Sequence, residues 1–263
     1  MAGRTLHSVQ ITTLGSGSKG NCLFLKTGET KLLIDAGLSL EDTIARLDQV
    51  SESPTSLTAI VVTHTHGDHI RSIRRLSRQF HLPVYASEES FAHSSLSRLK
   101  RKQPFRHEGN FRVGECEFTP IRLSHDSPPT FAFRVEAEGK RFGIATDLGT
   151  PTENVRKELN GCDALLLEFN HDRRMLEEGP YPWMLKQRVG GDLGHLSNAQ
   201  AADLLRSLLH AGLHHLILGH LSETNNRPEI ALESAQRTIV GEGMKKTVIA
   251  VAPQHRPGET ITV

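Results

Sequence analysis

The sequence predicts an α/β fold in which two β-sheets pack face to face with helices on the outside. Two β-rich blocks lie along the chain, each followed by helical segments, the order expected of a layered architecture. Within the blocks, apolar residues alternate or run unbroken over short stretches bounded by turn residues, as strands do. The helical stretches repeat at three to four residues and begin with capping side chains. No repeat at solenoid period and no low-complexity linker divides the 263 residues, so 1–263 reads as a single domain.

In the N-terminal third, "VQITTLG", "CLFLKT" and "KLLIDAG" are strands, with "TGE" turning between the last two. "SLEDTIARL" is a helix with Ser39 as N-cap and Asp42 three residues on. "LTAIVV" is a buried strand. "HIRSIRRLSRQF" follows as a helix, with Ile70, Ile73 and Leu76 on one side and Arg71, Arg74, Arg75 and Arg78 on the other. "LPVYA" is a short strand and "SEESFAHSSLSRLKRK" a helix. The middle is β-rich: "FRVGECEFTPIRLSH", then "TFAFRVEAEGKRFGIATD" with a hairpin turn at "EGK". "CDALLLE" is a further buried strand. "SNAQAADLLRSLLHAG" is a helix with a capping box from Ser197 and Gln200, an apolar face of Ala201, Leu204, Leu205, Leu208 and Leu209, and Gly212 as its stop. A strand "HHLILGH", a helix "RPEIALESAQRTI" and a strand "KKTVIAVA" complete the order.

The formal net charge of +1 excludes a chain that binds nucleic acid through overall basicity, so any such preference must be local. No apolar run approaches the roughly 18–20 residues of a membrane span, and "MAGRTLHSVQ" lacks the apolar stretch of a signal peptide. Cys22, Cys116 and Cys162 are far apart, which fits a reducing cytoplasm rather than a disulfide framework. The unusual count is fifteen histidines.

Gly15, Gly17 and Gly20 in "LGSGSKGN" spell the glycine pattern of a dinucleotide fingerprint, with Asp35 as the acid that follows. That motif must open a helix, because the helix N-terminus holds the pyrophosphate. Here it is followed by alternating strand sequence, so the segment is a strand–loop–strand connection and no nucleotide cofactor is expected. Its small residues leave backbone N–H groups accessible to an anion.

The strongest motif is "THTHGDHI". His64, His66, Asp68 and His69 place four ligand-type side chains in six residues directly after a buried strand, with Gly67 letting the chain turn. Imidazole and carboxylate together suit zinc, manganese or iron. Other apolar runs also end in such residues: "IRLS" at His125, "FGIAT" at Asp147 and "LILG" at His220. Ligands at the ends of buried strands sit on rigid elements and can converge at one edge of the sheets.

With these residues, the chain resembles the metallo-β-lactamase superfamily, a four-layer αββα sandwich with a binuclear metal site between the sheet edges. More closely it resembles the YycJ/WalJ (VicX) group of bacterial hydrolases, related to RNase Z and RNase J, through "GSGSKGNC", "LLIDAGLS", "VTHTHGDHI", "LSHD", "ATDLG", "EFNHD", "MLEEGPYPWMLKQR", "GHLSNAQA" and "LGHLSETNN". The resemblance implies two divalent ions, zinc ahead of manganese or iron. His64, His66 and His125 would hold the first, Asp68, His69 and His220 the second, and Asp147 would bridge them. A metal-activated hydroxide would attack the phosphodiester, with Asp68 orienting it.

His195 reads either as a group that stabilises developing charge or helps the leaving group, or as a structural histidine beside a helix cap. Glu168, Asn170, His171 and Asp172 in "EFNHD" are expected to orient the ligands from behind. Ser16, Ser18, Lys19, Asn21, Ser222, Asn225 and Asn226 are candidate substrate contacts.

Two basic clusters, Arg71/Arg74/Arg75/Arg78 and Arg98/Lys100/Arg101/Lys102/Arg106, read as a phosphate track to the site or as solvated faces. Tyr181 and Trp183 would stack on a base or, the better reading for each alone, fill core.

The resemblance points to a nuclease, a DNA exonuclease linked to DNA repair, with DNA favoured over RNA. The alternative is hydrolysis of a small thioester, lactone or cyclic phosphodiester. The chain has no room for the β-CASP insertion of RNase J and no Gly/Pro-rich arm like that of RNase Z, so RNA processing of either kind is not expected.

Overall fold

A computed structural model describes residues 8–127, 129–244 and 246–263. The first seven residues of "MAGRTLHSVQ" and Lys245 of "KKTVIAVA" lie outside these. The strands are β1 (Gln10–Gly15), β2 (Cys22–Thr27), β3 (Thr30–Ile34), β4 (Ala59–Val61), β5 (Val84–Ser87), β6 (Lys102–Phe105), β7 (Phe111–Val113), β8 (Cys116–Leu123), β9 (Thr130–Ala137), β10 (Lys140–Ala145), β11 (Ala164–Glu168), β12 (His215–Gly219), β13 (Val248–Val251) and β14 (Ile261–Thr262). The helices are α1 (Leu40–Gln49), α2 (Gly67–Ile70), α3 (Ile73–Phe80), α4 (Ser94–Ser97), α5 (Glu153–Leu159), α6 (Arg173–Glu178), α7 (Trp183–Gly190), α8 (Asn198–Leu208) and α9 (Pro228–Gly241).

One seven-stranded sheet runs β14-β1-β2-β3-β4-β5-β6 and the other β13-β12-β11-β10-β9-β8-β7. In each, antiparallel hairpins give way to parallel strands, β3 to β6 in the first and β10 to β13 in the second. Parallel strands need crossovers, and those crossovers supply the outer helices. Three apolar clusters follow. Ile11, Leu25, Leu32 and Val61 meet Phe118, Phe133, Phe142 and Leu166 between the sheets. Leu33, Ile60, Leu47 and Leu76 fill the space under α1 and α3. Leu165, Leu218, Leu204 and Ala235 fill that under α8 and α9. Helix, sheet, sheet and helix are thus four layers, the expected αββα sandwich.

Several local expectations need correction. The helix expected over 69–80 is broken between α2 and α3, because the Ser72 N–H and hydroxyl both donate to the Ala36 carbonyl at 2.9 Å instead of continuing the helical ladder. The helix expected over 87–102 is reduced to the short α4 and a neighbouring 3₁₀ turn, and its last residue opens β6. Serine side chains there bond local backbone: Ser87 Oγ accepts from the Ser90 N–H and Ser97 Oγ donates to the Ser94 carbonyl. Such bonds compete with helix. Helix α8 keeps its capping box but ends at Leu208. Leu209 is already extended, and Gly212 lies in the following turn. Helices α5, α6 and α7 and strands β6 and β14 are additions to the expected order. Each is short, and α7 buries none of its residues, so none carries a strong period.

Candidate metal centre

Six strand ends converge at one edge of the sandwich. Asp35 follows β3, His64 follows β4, His125 follows β8, Asp147 follows β10, Glu168 ends β11 and His220 follows β12. His66 is the N-cap of α2, which carries Asp68 and His69. His195 stands just before Ser197, the N-cap of α8. The backbone pins this arrangement: the Asp68 carbonyl accepts the Asn21 N–H at 2.7 Å and the His69 carbonyl that of Ala36 at 2.8 Å. Contact is so close that a Cβ at Gly37 would lie 1.5 Å from the Asp68 carbonyl oxygen. Gly67 has open space around it and no positive φ, so the turn does not depend on glycine there. Asp35, Asp147 and His220 themselves take left-handed φ values of 60°, 61° and 54°.

Ligand-type atoms of His64, His66 and His125 lie within 4.8 Å of one another, as do those of Asp68, His69 and His220. Asp147 lies between these groups. Its Oδ1 is 4.0 Å from His64 Nε2, 3.8 Å from His125 Nε2 and 3.5 Å from His220 Nε2, and its Oδ2 is 3.2 Å from His69 Nε2.

Each imidazole is held from behind through one ring nitrogen. His64 Nδ1 meets Thr63 Oγ1 at 3.0 Å, His69 Nδ1 meets Asp35 Oδ2 at 2.7 Å, and His125 Nδ1 meets the Gly194 carbonyl at 3.1 Å. Glu168 Oε1 takes both His195 Nδ1 (2.7 Å) and His220 Nδ1 (3.0 Å), while its Oε2 accepts the Leu148 and Leu196 N–H groups. His66 lies the other way round, with Nε2 3.3 Å from Asp126 and Nδ1 3.2 Å from His125 Nε2. A proton fixed on the rear nitrogen leaves a lone pair facing the centre.

The residues fit two divalent ions. The inward Nε2 atoms of His64 and His220 are buried and have no hydrogen-bond partner among the described residues, and imidazole with carboxylate is the donor set such ions take. Electrostatics agrees. Burial, then the neighbouring His69, hold the His64 imidazole well below its ordinary range. Burial would also lower His69, but the Asp147 and Asp35 carboxylates outweigh it and raise the ring to about 10. His220 is likewise carried well above its ordinary value, against burial, by Asp147 and Asp68. Burial would raise Glu168, but His195 and His220 hold it at about 2. The centre therefore carries a negative field that favours cations.

A cleft of about 280 Å³ opens onto this centre. Of the expected substrate contacts, Ser18 and Ser222 line it, together with Tyr181 and Arg188. Lys19 is exposed but ion-paired with Glu223 at 3.1 Å. Ser16 and Asn21 are buried. Ser16 Oγ accepts the His220 N–H, and the Asn21 amide joins the Gly17 backbone to His69 Nε2 at 2.9 Å. Asn225 and Asn226 are buried too. The Asn226 amide is fully engaged with Asn198, the Phe169 carbonyl and the Arg227 N–H, whereas neither amide atom of Asn225 has a hydrogen-bond partner among the described residues.

In "EFNHD", Glu168 holds two histidines and Asn170 donates to the His220 carbonyl at 2.9 Å. Asp172 is instead the N-cap of α6. The His171 carbonyl ties down the start of α8 through the Asn198 N–H, and burial takes its imidazole down to about 4. Trp183 is 70% exposed, not core. Thr63, Asp126 and Arg188, which bonds Asp126 at 2.5 Å, belong to the site without standing out in any sequence motif, and Asp35 stands out in the sequence only as the acid after a glycine pattern. Asp35 carried a usable signal, since "LLID" ends a strand in an acid as "FGIAT" does before Asp147.

The chain matches the Beta-lactamase superfamily domain over residues 30–220. It is 33% identical over 241 residues to exodeoxyribonuclease YycJ of Bacillus anthracis, covering 89% of this chain and 90% of that protein. It is 34% identical over 224 residues to exodeoxyribonuclease WalJ of Streptococcus pneumoniae, covering 83% of each. Among solved structures, the metallo-β-lactamase fold protein YhfI from Bacillus subtilis superposes with a TM-score of 0.75 at 17% identity, over 98% of this chain and 100% of that one. No helix among the described residues is long and apolar enough to cross a membrane. Strand ends that converge on a His/Asp centre, the domain match and the similarity to YycJ and WalJ together place this chain in the metallo-β-lactamase superfamily.

Proposed function

We propose that this protein is a metal-dependent exonuclease that hydrolyses phosphodiester bonds of DNA. The observation that carries the reading is the full set of converging histidines and carboxylates, with His64, His69, His125 and His220 each fixed from behind, in a chain similar along most of its length to two exodeoxyribonucleases. His64, His66 and His125 would hold one ion, Asp68, His69 and His220 another, with Asp147 shared. Zinc is the proposed ion, and manganese or iron would suit the same donors. Two such ions supply Lewis acidity, polarising a phosphoryl oxygen and making water acidic enough to attack near neutral pH.

The chain's own residues do the rest. Asp68 is partly exposed in the cleft and accepts the Asn21 amide at 3.3 Å, which leaves its other oxygen to take a proton from the attacking water. His195 is held at Nδ1 by Glu168, so its Nε2 presents to the cleft, where the imidazolium form would donate its proton to the leaving oxygen and return to the neutral ring. Arg188 places a fixed positive charge on the cleft wall, where a phosphate oxygen would lie. We propose a part in DNA repair along with it.

Metal analysis of the purified protein should give two ions per chain. With zinc or manganese it should shorten labelled DNA from an end, and Asp68→Ala or His220→Ala should abolish this. Intact DNA in the metal-loaded protein refutes the reading, and rapid turnover of a lactone or thioester alongside it would favour a small-molecule hydrolase.

A further inference from the structure

The two basic clusters of the sequence do not form a track into the cleft. Arg74 and Arg78 of α3 converge with Arg98, Lys100 and Arg101 around a separate cavity of about 350 Å³, which His81 also lines. That volume is in the range of small-ligand sites. Its position follows from the topology. The catalytic edge is where β3 and β4 end. The Arg101 carbonyl instead accepts the Val84 N–H where β5 begins, and β5 runs parallel to β4. Helix α3 descends from the metal motif to this opposite edge, about 12 Å over its eight residues.

Charge is what makes the cavity unusual. No carboxylate lines it, and none of its five lysine and arginine side chains makes a salt bridge among the described residues. Carboxylates are used elsewhere in the same region: Arg75 pairs with Glu41 at 2.7 Å and Arg106 with Glu88 at 3.6 Å. Arg74 and Arg78 stand one turn apart on one helix face, a destabilising like-charge pair. The C-terminus of α3 offers only about half an elementary negative charge against them. An unscreened cluster of this kind is relieved by a polyanion, and guanidinium groups match phosphate in particular.

We propose that this cavity is a second phosphate-binding site, away from the catalytic cleft, that grips the backbone of the nucleic acid being degraded. The proposal rests on the nuclease reading above. The length of α3 alone is about 12 Å, so at about 3.4 Å per nucleotide of a duplex strand a strand with its scissile phosphate in the cleft must run at least about four nucleotides further to reach it. The site therefore acts on long substrates and is silent on short ones. Free mononucleotides, the products of an exonuclease, carry the same chemistry and are the other source of phosphate.

The test is an Arg78→Ala/Arg98→Ala double variant of the full chain with its metals. Both side chains are exposed, and neither is in the catalytic machinery. On a 30-nucleotide single strand KM should rise about tenfold at low salt, with kcat and dinucleotide turnover unchanged. Anisotropy binding of the same labelled strand should lose about 1.4 from its log K versus log salt slope, at about 0.7 per phosphate contact on single strands. If instead labelled deoxynucleoside monophosphate binds the wild type but not the variant while the long-strand KM is the same in both, the cavity takes free nucleotide. A wild type that degrades the long strand while neither arm separates it from the variant overturns the proposal. A wild type that cleaves neither substrate overturns the nuclease reading, and the salt slope then decides the cavity alone.

Discussion

Replacing Glu168 by glutamine tests how far the metal centre depends on the shell behind it. Glu168 is fully buried, and its two oxygens take four hydrogens: His195 and His220 at 2.7 and 3.0 Å, and the Leu148 and Leu196 N–H groups at 2.9 and 3.3 Å. Glutamine keeps the shape but has one acceptor oxygen. Its NH₂ must face either both imidazoles or both backbone amides, so two bonds are lost whichever way it lies. The backbone pair is fixed, so the amide oxygen turns to it and the imidazoles lose their anchor. A bond to an ionised partner contributes about 1.5–3 kcal/mol. Loss of a group that orients metal ligands typically costs about 10–100-fold in affinity or activity, or about 1.4–2.8 kcal/mol, so the two routes agree. Competitive chelator titration should show that weakening for the ion on the His220 side, and kcat should fall because His195 is released too. Glu168→Gln with metal affinity and kcat both within twofold of wild type would refute the argument.

Two further expectations concern the scaffold. Glu52 is nearly buried between Lys26 (2.8 Å) and Lys31 (2.7 Å); burial would raise its carboxyl, but the lysines hold it below its ordinary value. Its contribution is present above the unfolded pKa of about 4.3 and is lost as pH falls through the lower folded value. Glu52→Gln should therefore cost about 1–3 kcal/mol in urea unfolding at pH 7, with the gap to wild type narrowing below pH 4; a gap that does not change with pH would contradict this. Gly37→Ala should force the Asp68 backbone aside, cost about 3 kcal/mol or more and lower metal content. Gly67→Ala, in open space, should do neither, and equal metal content in the two variants would count against the close contact.

The layers and the ligands were legible for a common reason. Strands such as "LILG" and "FGIAT" are buried on both faces, so their apolar runs are continuous and end abruptly at His220 and Asp147. Contacts that depend on tertiary approach left no local trace. Arg188 reaches Asp126 across 62 positions, and Thr63 takes its role from Asp35 across 28. The asparagines of "HLSETNN" read as substrate contacts because polar residues after a ligand suggest a cleft. Asn226 instead bridges to Asn198 beneath the surface, and that bridge depends on a helix start some thirty residues earlier. The Ser-rich segment at 87–102 misled for a different reason, since side-chain bonds to local backbone override apolar spacing.

The left-handed backbone at Asp35, Asp147 and His220 bears on how this protein would respond to engineering for heat resistance. Each such non-glycine residue carries about 1–2 kcal/mol of unfavourable conformation. Glycine would relieve that strain only by giving up the bonds the native residue makes: at Asp35 it would strand the Thr63 N–H and hydroxyl and the His69 Nδ1 that the carboxylate holds. Strain and metal binding are thus built into the same residues, so selection for robustness in this fold has to score metal retention along with melting temperature.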